Sequence, residues 1–271
     1  MDIARRRRGI NPFILDPNNV TIKLKDGYGA GVIGRADYDP SGKIYTAVDQ
    51  TAWNALNPNI DDYTVICTTL VTNMSSAFRD VDFNQDITHF DTSNATNMSL
   101  MFQLNRTFDQ PIGVWDVSNC KNFSLMFSGL GKKTIFNQPL NDWDMSSATN
   151  IVAMFSSNQF FNQPLNNWNI SGCTSLFLMF RFSPFNQDIS NWDVSNVTNM
   201  ISAFRATPFN QDISAWDVSN VTFWESIFNS ATQFNQDLSS WCVEQTASEP
   251  TNFAANTPSW VLPKPNWGVT C

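Results

Sequence analysis

Phe185-Asn186-Gln187-Asp188-Ile189-Ser190-Asn191-Trp192-Asp193-Val194-Ser195-Asn196-Val197-Thr198-Asn199-Met200 is written, with small changes, seven times along this chain. Alignment on Trp192 brings Phe90, Trp115, Trp143, Trp168, Trp216 and Trp241 into register, at spacings of 25, 28, 25, 24, 24 and 25 residues. A degenerate eighth unit starts at Ile66, where Leu70-Val71-Thr72-Asn73-Met74 matches the second half of the phrase. A fixed period of about 20–29 residues with fixed apolar positions marks a solenoid, in which each coil buries its apolar face only against its neighbours. Such an array presents a long regular surface, and binding is its usual use.

Within one unit, Ile189, Trp192, Val194 and Val197 follow the apolar spacing of a leucine-rich-repeat strand, with Trp in place of a central Leu. The alternation around Trp192–Ser195 predicts a short strand, with Trp192 and Val194 inward and Asp193 and Ser195 exposed. Met200 and Phe204, four apart, predict a short helical turn that closes the core from the other side. Phe83, Phe108, Phe136, Phe161, Phe185, Phe209 and Phe234 predict an internal aromatic column. The polar residue that follows each of them, Asn at every unit except for Asp109, predicts a ladder that satisfies neighbouring backbone. The 28-residue unit places its extra residues around 128–134, as a protruding loop with the Lys132-Lys133 pair.

Composition agrees with a folded rod. Phe occurs 22 times and Trp 10 times in 271 residues, which is incompatible with disorder of the repeat region. The net charge is −8 but is unevenly distributed. Residues 1–25 hold six basic and two acidic side chains, or +4, so the remainder carries −12. An acidic body excludes nucleic acid as the ligand of the array, because phosphate binding needs a basic footprint. Arg5, Arg6, Arg7 and Arg8 form the one strongly basic run and are the candidate anchor to a larger assembly. No run of 18 apolar residues exists, so no membrane span is expected, and no secretory signal is legible.

Five cysteines give an odd count, which argues against a fully paired framework. Cys120 and Cys173 share the repeat position of Ala148, Val197 and Val221 and are expected as small core residues. Cys242 and Cys271 flank the C-terminal segment and are the candidate disulfide. His89, the single histidine, has no patterned partner and is expected at the surface. With one histidine and no glycine-rich phosphate loop, the chain predicts no catalytic residue, no cofactor and no metal site.

The units, quoted above, resemble the BspA-like surface-protein repeats, a divergent leucine-rich-repeat class with units of about 25 residues. The likeness covers about residues 63–243. It extends to the ending Trp241-Cys242-Val243 with Pro265-Asn266-Trp267-Gly268-Val269-Thr270-Cys271, and to Val48–Leu56, which resembles the short helix that precedes the first unit. The resemblance implies a repeat solenoid of leucine-rich-repeat type, with short parallel strands and short helical turns. It divides the chain into a basic N-terminal arm with a short β segment (1–43), a capping helix region (44–62), eight solenoid units (63–243) and a C-terminal cap (244–271). It also implies a non-enzymatic surface protein without cofactor. Without a legible export signal, the expected setting is a virus particle, as a phage decoration or host-attachment component. Its partners would be capsid or tail proteins and host surface protein or glycan. The alternative is a bacterial cell-surface adhesin. The candidate binding face is the exposed column Asp91, Asp116, Asp144, Asn169, Asp193 and Asp217, with three readings: hydrated negative charge, a cationic partner, or calcium.

Overall fold

The computed structural model describes residues 11–17 and 20–271. Strands β1 (Phe13–Leu15), β2 (Ile22–Leu24) and β4 (Ala36–Asp37) form one small sheet in the order β2-β1-β4, with β1 antiparallel to β2 and parallel to β4. Strands β3 (Ile33–Gly34), β5 (Tyr45–Asp49) and β6 (Ile66–Leu70) form a second, in the order β3-β5-β6. The pairing of β5 with β6 is parallel, so β5 stands as an extra rung before the first repeat unit. Phe13, Ile22, Leu24, Ala36, Tyr45, Ala47 and Cys67 enclose a small apolar core of their own. Residues 13–17 and 20–37 are therefore built into the folded body, with more strands than the single short β segment that the sequence predicts within residues 1–43. The alternation in Ile22–Leu24 places Ile22 and Leu24 inward, which is enough to hold the strand once β1 covers it. Arg5, Arg6, Arg7 and Arg8 lie outside the described residues.

The repeat units follow as a stack of coils, but not through the predicted strand. Val197 N–H donates to Val194 C=O at 2.8 Å, closing a tight turn where the alternation predicts extended chain. The same turn recurs at Cys120, Ala148, Cys173 and Val221. The cause is the Asp-x-Ser pair: Asp193 Oδ1 accepts from Ser195 N–H at 3.0 Å and from its hydroxyl at 2.6 Å, which bends the chain locally. The parallel bridges between coils lie further along, through Asn73, Asn97, Asn122 and Asn150, and again through Ser175, Asn199 and Phe223.

The expected helical turn is also replaced. From Met200 the chain runs through consecutive β-turns, Ala203 N–H to Met200 C=O, Arg205 to Ser202 and Thr207 to Phe204. The amides between them point along the stack: Met200, Ser202, Phe204 and Ala206 donate to the carbonyls of Phe223, Glu225, Ile227 and Asn229 in the next coil. Every backbone donor of the segment is thus used, alternately within the coil and between coils. This geometry requires positive φ at two positions per coil, and it recurs at Leu100 and Leu104, Leu178 and Phe182, Ser202 and Ala206, and Ser226 and Ser230. Left-handed backbone at bulky residues is costly in isolation and persists here because the neighbouring coils fix it.

Three aromatic columns run through the stack. Phe78, Phe102, Phe127, Phe155, Phe180, Phe204 and Phe228 repeat at 5.4–5.9 Å. The predicted Phe83–Phe234 column repeats at 5.9–6.4 Å. The two are interlocked, with contacts such as Phe180–Phe185 at 3.8 Å between ring centroids. The third holds the tryptophans, with Trp168 and Trp192 stacked at 6.4 Å. Each buried ring contributes roughly 1.5–3 kcal/mol, and offset stacking adds on the order of 1 kcal/mol. Tryptophan is used in this column because its indole N–H reaches the preceding coil: Trp168, Trp192 and Trp216 Nε1 donate to Leu140, Leu165 and Ile189 C=O at 2.8, 2.9 and 3.2 Å. Leucine in its place would leave those carbonyls unpaired and a cavity beside them.

The asparagine column forms the predicted ladder. Asn186, Asn210 and Asn235 N–H donate to the Oδ1 of Asn162, Asn186 and Asn210 at 2.8 Å each. Asp109 takes part as an acceptor for Asn137 N–H at 2.9 Å, since only an oxygen is needed.

Perpendicular rings terminate the stack. At the start, helix α1 (Gln50–Ala55), N-capped by Asp49, turns Trp53 edge-on to Phe78 and Phe90. At the other end, Trp260 stands edge-on to Phe228 and Phe234, and Trp267 to Trp224. The C-terminal segment also adds an eighth set of turns: Thr251, Phe253 and Ala255 C=O accept from Ser226, Phe228 and Ser230, and Asn252 and Asn256 have positive φ. Cys242 and Cys271 are joined by a disulfide, which ties the end of this segment to the last tryptophan-bearing coil. Cys120 and Cys173 are buried free thiols, pushed up to about 11 and about 12 by burial. The 28-residue unit closes its loop through Lys132 N–H to Gly129 C=O at 2.7 Å. Gly129 is required there, because a β-carbon would lie 2.4 Å from Ser157 C=O.

His89 is buried, where the sequence predicts a surface residue. Its Nε2 donates to Ile66 C=O at 3.0 Å, its ring packs against Tyr45 and Phe90, and its own carbonyl accepts from Ile22 N–H. It joins the N-terminal sheets to the first coils. Burial holds its pKa down to about 4, against about 6.5 when unfolded. The folded form therefore binds its proton later than the unfolded chain as pH falls. Its contribution is complete above pH 6.5, declines between about 6.5 and 4, and levels off below that, for a total of about 3 kcal/mol. Urea midpoints from pH 7 to 4 will show this decline in the native chain and lose most of it in His89→Gln.

Candidate functional site

The Asp-x-Ser turn places one acid at the same point of successive coils. Asp116, Asp144, Asn169, Asp193 and Asp217 are exposed there. Asp91 is not: it is 2 % exposed and its Oδ2 accepts from Thr69 Oγ1 at 2.6 Å, against the N-terminal sheets. The first position of the candidate face is thus covered by β6 and removed from it. Each remaining member accepts from the serine two residues on. Asn169 does so as well as any aspartate, at 3.1 Å from Ser171 N–H and 2.8 Å from its hydroxyl. Turn formation accounts for the side-chain oxygen, and the negative charge is an additional property of the face. The serine hydroxyls and amides hold Asp144, Asp193 and Asp217 below the usual carboxylate range, with the charge of Asp193 opposing this at Asp217.

A second acid row went unread in the sequence. Asp188, Asp212 and Asp237 make the same turns with Ser190, Ser214 and Ser239, and their pKa values are lowered for the same reason. The signal was available as a second Asp-x-Ser phrase five residues before the first. Between two coils of this row lies a depression of about 220 Å³ lined by Asp188, Gln211 and Asp212. It is smaller than the cavities that usually enclose a small molecule.

A cationic corner also lies outside the sequence-predicted face. Arg181 and Arg205 both pack on the Phe182 ring, with the guanidinium carbons 4.3 and 5.6 Å from its centroid. Lys133, on the loop of the long unit, stands 5.1 Å over Phe160. Arg181 and Arg205 are 24 residues apart, so the repeat frame itself announces that they align. Lys132 is instead paired with Asp80.

Among the described residues, the grouping of potential metal ligands is Cys242, Glu244 and Cys271, and both sulfurs belong to the disulfide. No helix among them is long and apolar enough to cross a membrane.

A family model described as "Mycoplasma protein of unknown function, DUF285" matches residues 46–132, 129–183 and 178–259. The three matches together run through the coils and into the eighth set of turns. No curated protein and no solved structure matches the chain.

Proposed function

We propose that this chain, which belongs to the DUF285 family and through it to the BspA-like surface repeat group, is a non-enzymatic structural and adhesive protein built on a leucine-rich-repeat-like solenoid. The carrying observation is the stack itself: parallel bridges one repeat apart hold exposed side chains at fixed spacing over successive coils. A surface of this kind binds extended partners through many small contacts and does not enclose a substrate. The charge division supports two roles within one chain, a basic first segment for docking and an acidic body for display.

The setting we favour is a virion, as a decoration or host-attachment component whose partners are capsid or tail proteins and a host surface protein or glycan. The second setting is a bacterial cell surface, where the protein would act as an adhesin. Peptide mass spectrometry on purified virus particles, and separately on surface fractions of cells from the source, distinguishes them. Stoichiometric peptides in the particles are the expected result. Peptides confined to the cell-surface fraction would replace the virion setting with the adhesin.

A further inference from the structure

The backbone ladder brings one corner of successive coils into line. Gly129 donates to Ser156 C=O, Ser157 to Arg181, Phe182 to Arg205 and Ala206 to Asn229. Along this corner stand Lys133, Phe160, Arg181, Phe182 and Arg205. The two phenyl rings are 42 % and 41 % exposed, on a stack that buries nearly all its other repeat-unit aromatics. One ring carries two guanidiniums, which places like charges close together. Among the described residues the five ion pairs use Lys23, Lys25, Arg106, Lys132 and Lys264, so neither arginine nor Lys133 has a carboxylate partner. Arg181 Nε is moreover buried without a hydrogen-bond acceptor. Burial, and then the charge of Arg205, hold Arg181 below the ordinary guanidinium value.

The adjacent guanidiniums and the lack of carboxylate partners are unfavourable in a free surface and favourable in a bound one. Adjacent guanidiniums repel until an oxyanion lies between them, and their planar forks match carboxylate and sulfate oxygens in pairs. We propose that this corner binds an acidic polysaccharide, a linear chain with carboxylate or sulfate groups. Its cations recur along the stacking direction, with Arg181 and Arg205 on neighbouring coils about 4.8 Å apart. That arrangement suits a polymer with regularly spaced anions better than a compact one. Nucleic acid fits less well. Single strands are held by bases stacking on open aromatic faces, whereas here cations lie over the rings.

The inference rests on the attachment reading and names its ligand class, but its test uses purified protein and is independent of where the protein resides. A failure of the particle experiment would move the setting and leave the binding result standing, and the reverse also holds. The full chain is to be passed over immobilised polyuronate, dextran sulfate and neutral dextran at about 0.15 M salt, where surface charges act over about 8 Å. Binding to one or both acidic polymers and not to dextran is expected. Arg181→Gln with Arg205→Gln should weaken it at least tenfold with an unchanged melting temperature. Exposed Lys133→Gln, which touches no buried group, should weaken it severalfold and guards against a folding defect in the double variant. Asp142→Asn, at an exposed acid outside both acid rows, should not weaken it. Native-level binding by both arginine and lysine variants would overturn the proposal. So would equal or tighter binding to single-stranded DNA or polyglutamate, which would assign the corner to a different polymer.

Discussion

Replacing Phe180 by Ala will lower the stability of the fold by about 3–5 kcal/mol, the range for removing a fully buried aromatic ring. Phe180 stacks on Phe155 and Phe204 at 5.9 Å, locks against Phe185 at 3.8 Å and packs on Trp192. Its removal leaves a cavity open to four rings in three coils. The rings cannot collapse into it, because each backbone is held to its neighbours by the amide ladder and by the asparagine and indole bonds. The check is the denaturant midpoint by circular dichroism. Phe160→Ala, at a ring that is largely outside the core, should leave the midpoint nearly unchanged. Comparable losses for the two would mean that the columns do not carry the stability of the array.

Much of this architecture was legible because it is written many times. The period announced the coil, the Phe-Asn phrase announced a column with a ladder beside it, and the cysteine positions followed from Val197 and Val221. What was misread shows where local chemistry overrules pattern. The alternation at Trp192–Ser195 reads as strand, yet the aspartate and serine bond to each other's backbone and turn the chain after three residues. Consecutive β-turns at Met200–Thr207 have an i, i+4 apolar pair just as a helix does, so periodicity alone cannot separate them. Their positive φ values at residues such as Leu178 contradict local propensity and are imposed by pairing with the next coil. Features present once were hidden: His89 has no repeat equivalent, and nothing in its neighbours' identities places it between β6 and Tyr45.

The candidate site was legible in part. The acid face was found, but the burial of Asp91 depends on sheets packed from residues far earlier in the chain. The role of the aspartates as turn formers explains why Asn169 substitutes without breaking the row. The arginine corner needed the structure, because Phe182 gains its meaning only when Arg181 and Arg205 are seen on the same ring.

The central claim is that one sequence repeat is one physical coil, held only to its neighbours. Removing residues 185–208 joins Pro184 to Phe209, so that Ser183-Pro184 takes the place of Thr207-Pro208 and every column and ladder stays in phase. Removing residues 185–196 instead takes out half a unit and joins Pro184 to Val197, which sets the aromatic columns against polar positions. In a stack whose stability is a sum of nearest-neighbour interfaces, the first deletion costs one interface and the second breaks the array. Thermal melts of both variants, followed by circular dichroism, are the most direct test. A cooperative transition for the 24-residue deletion and none at native temperatures for the 12-residue deletion is the predicted result. Equal behaviour of the two, folded or unfolded, would contradict it.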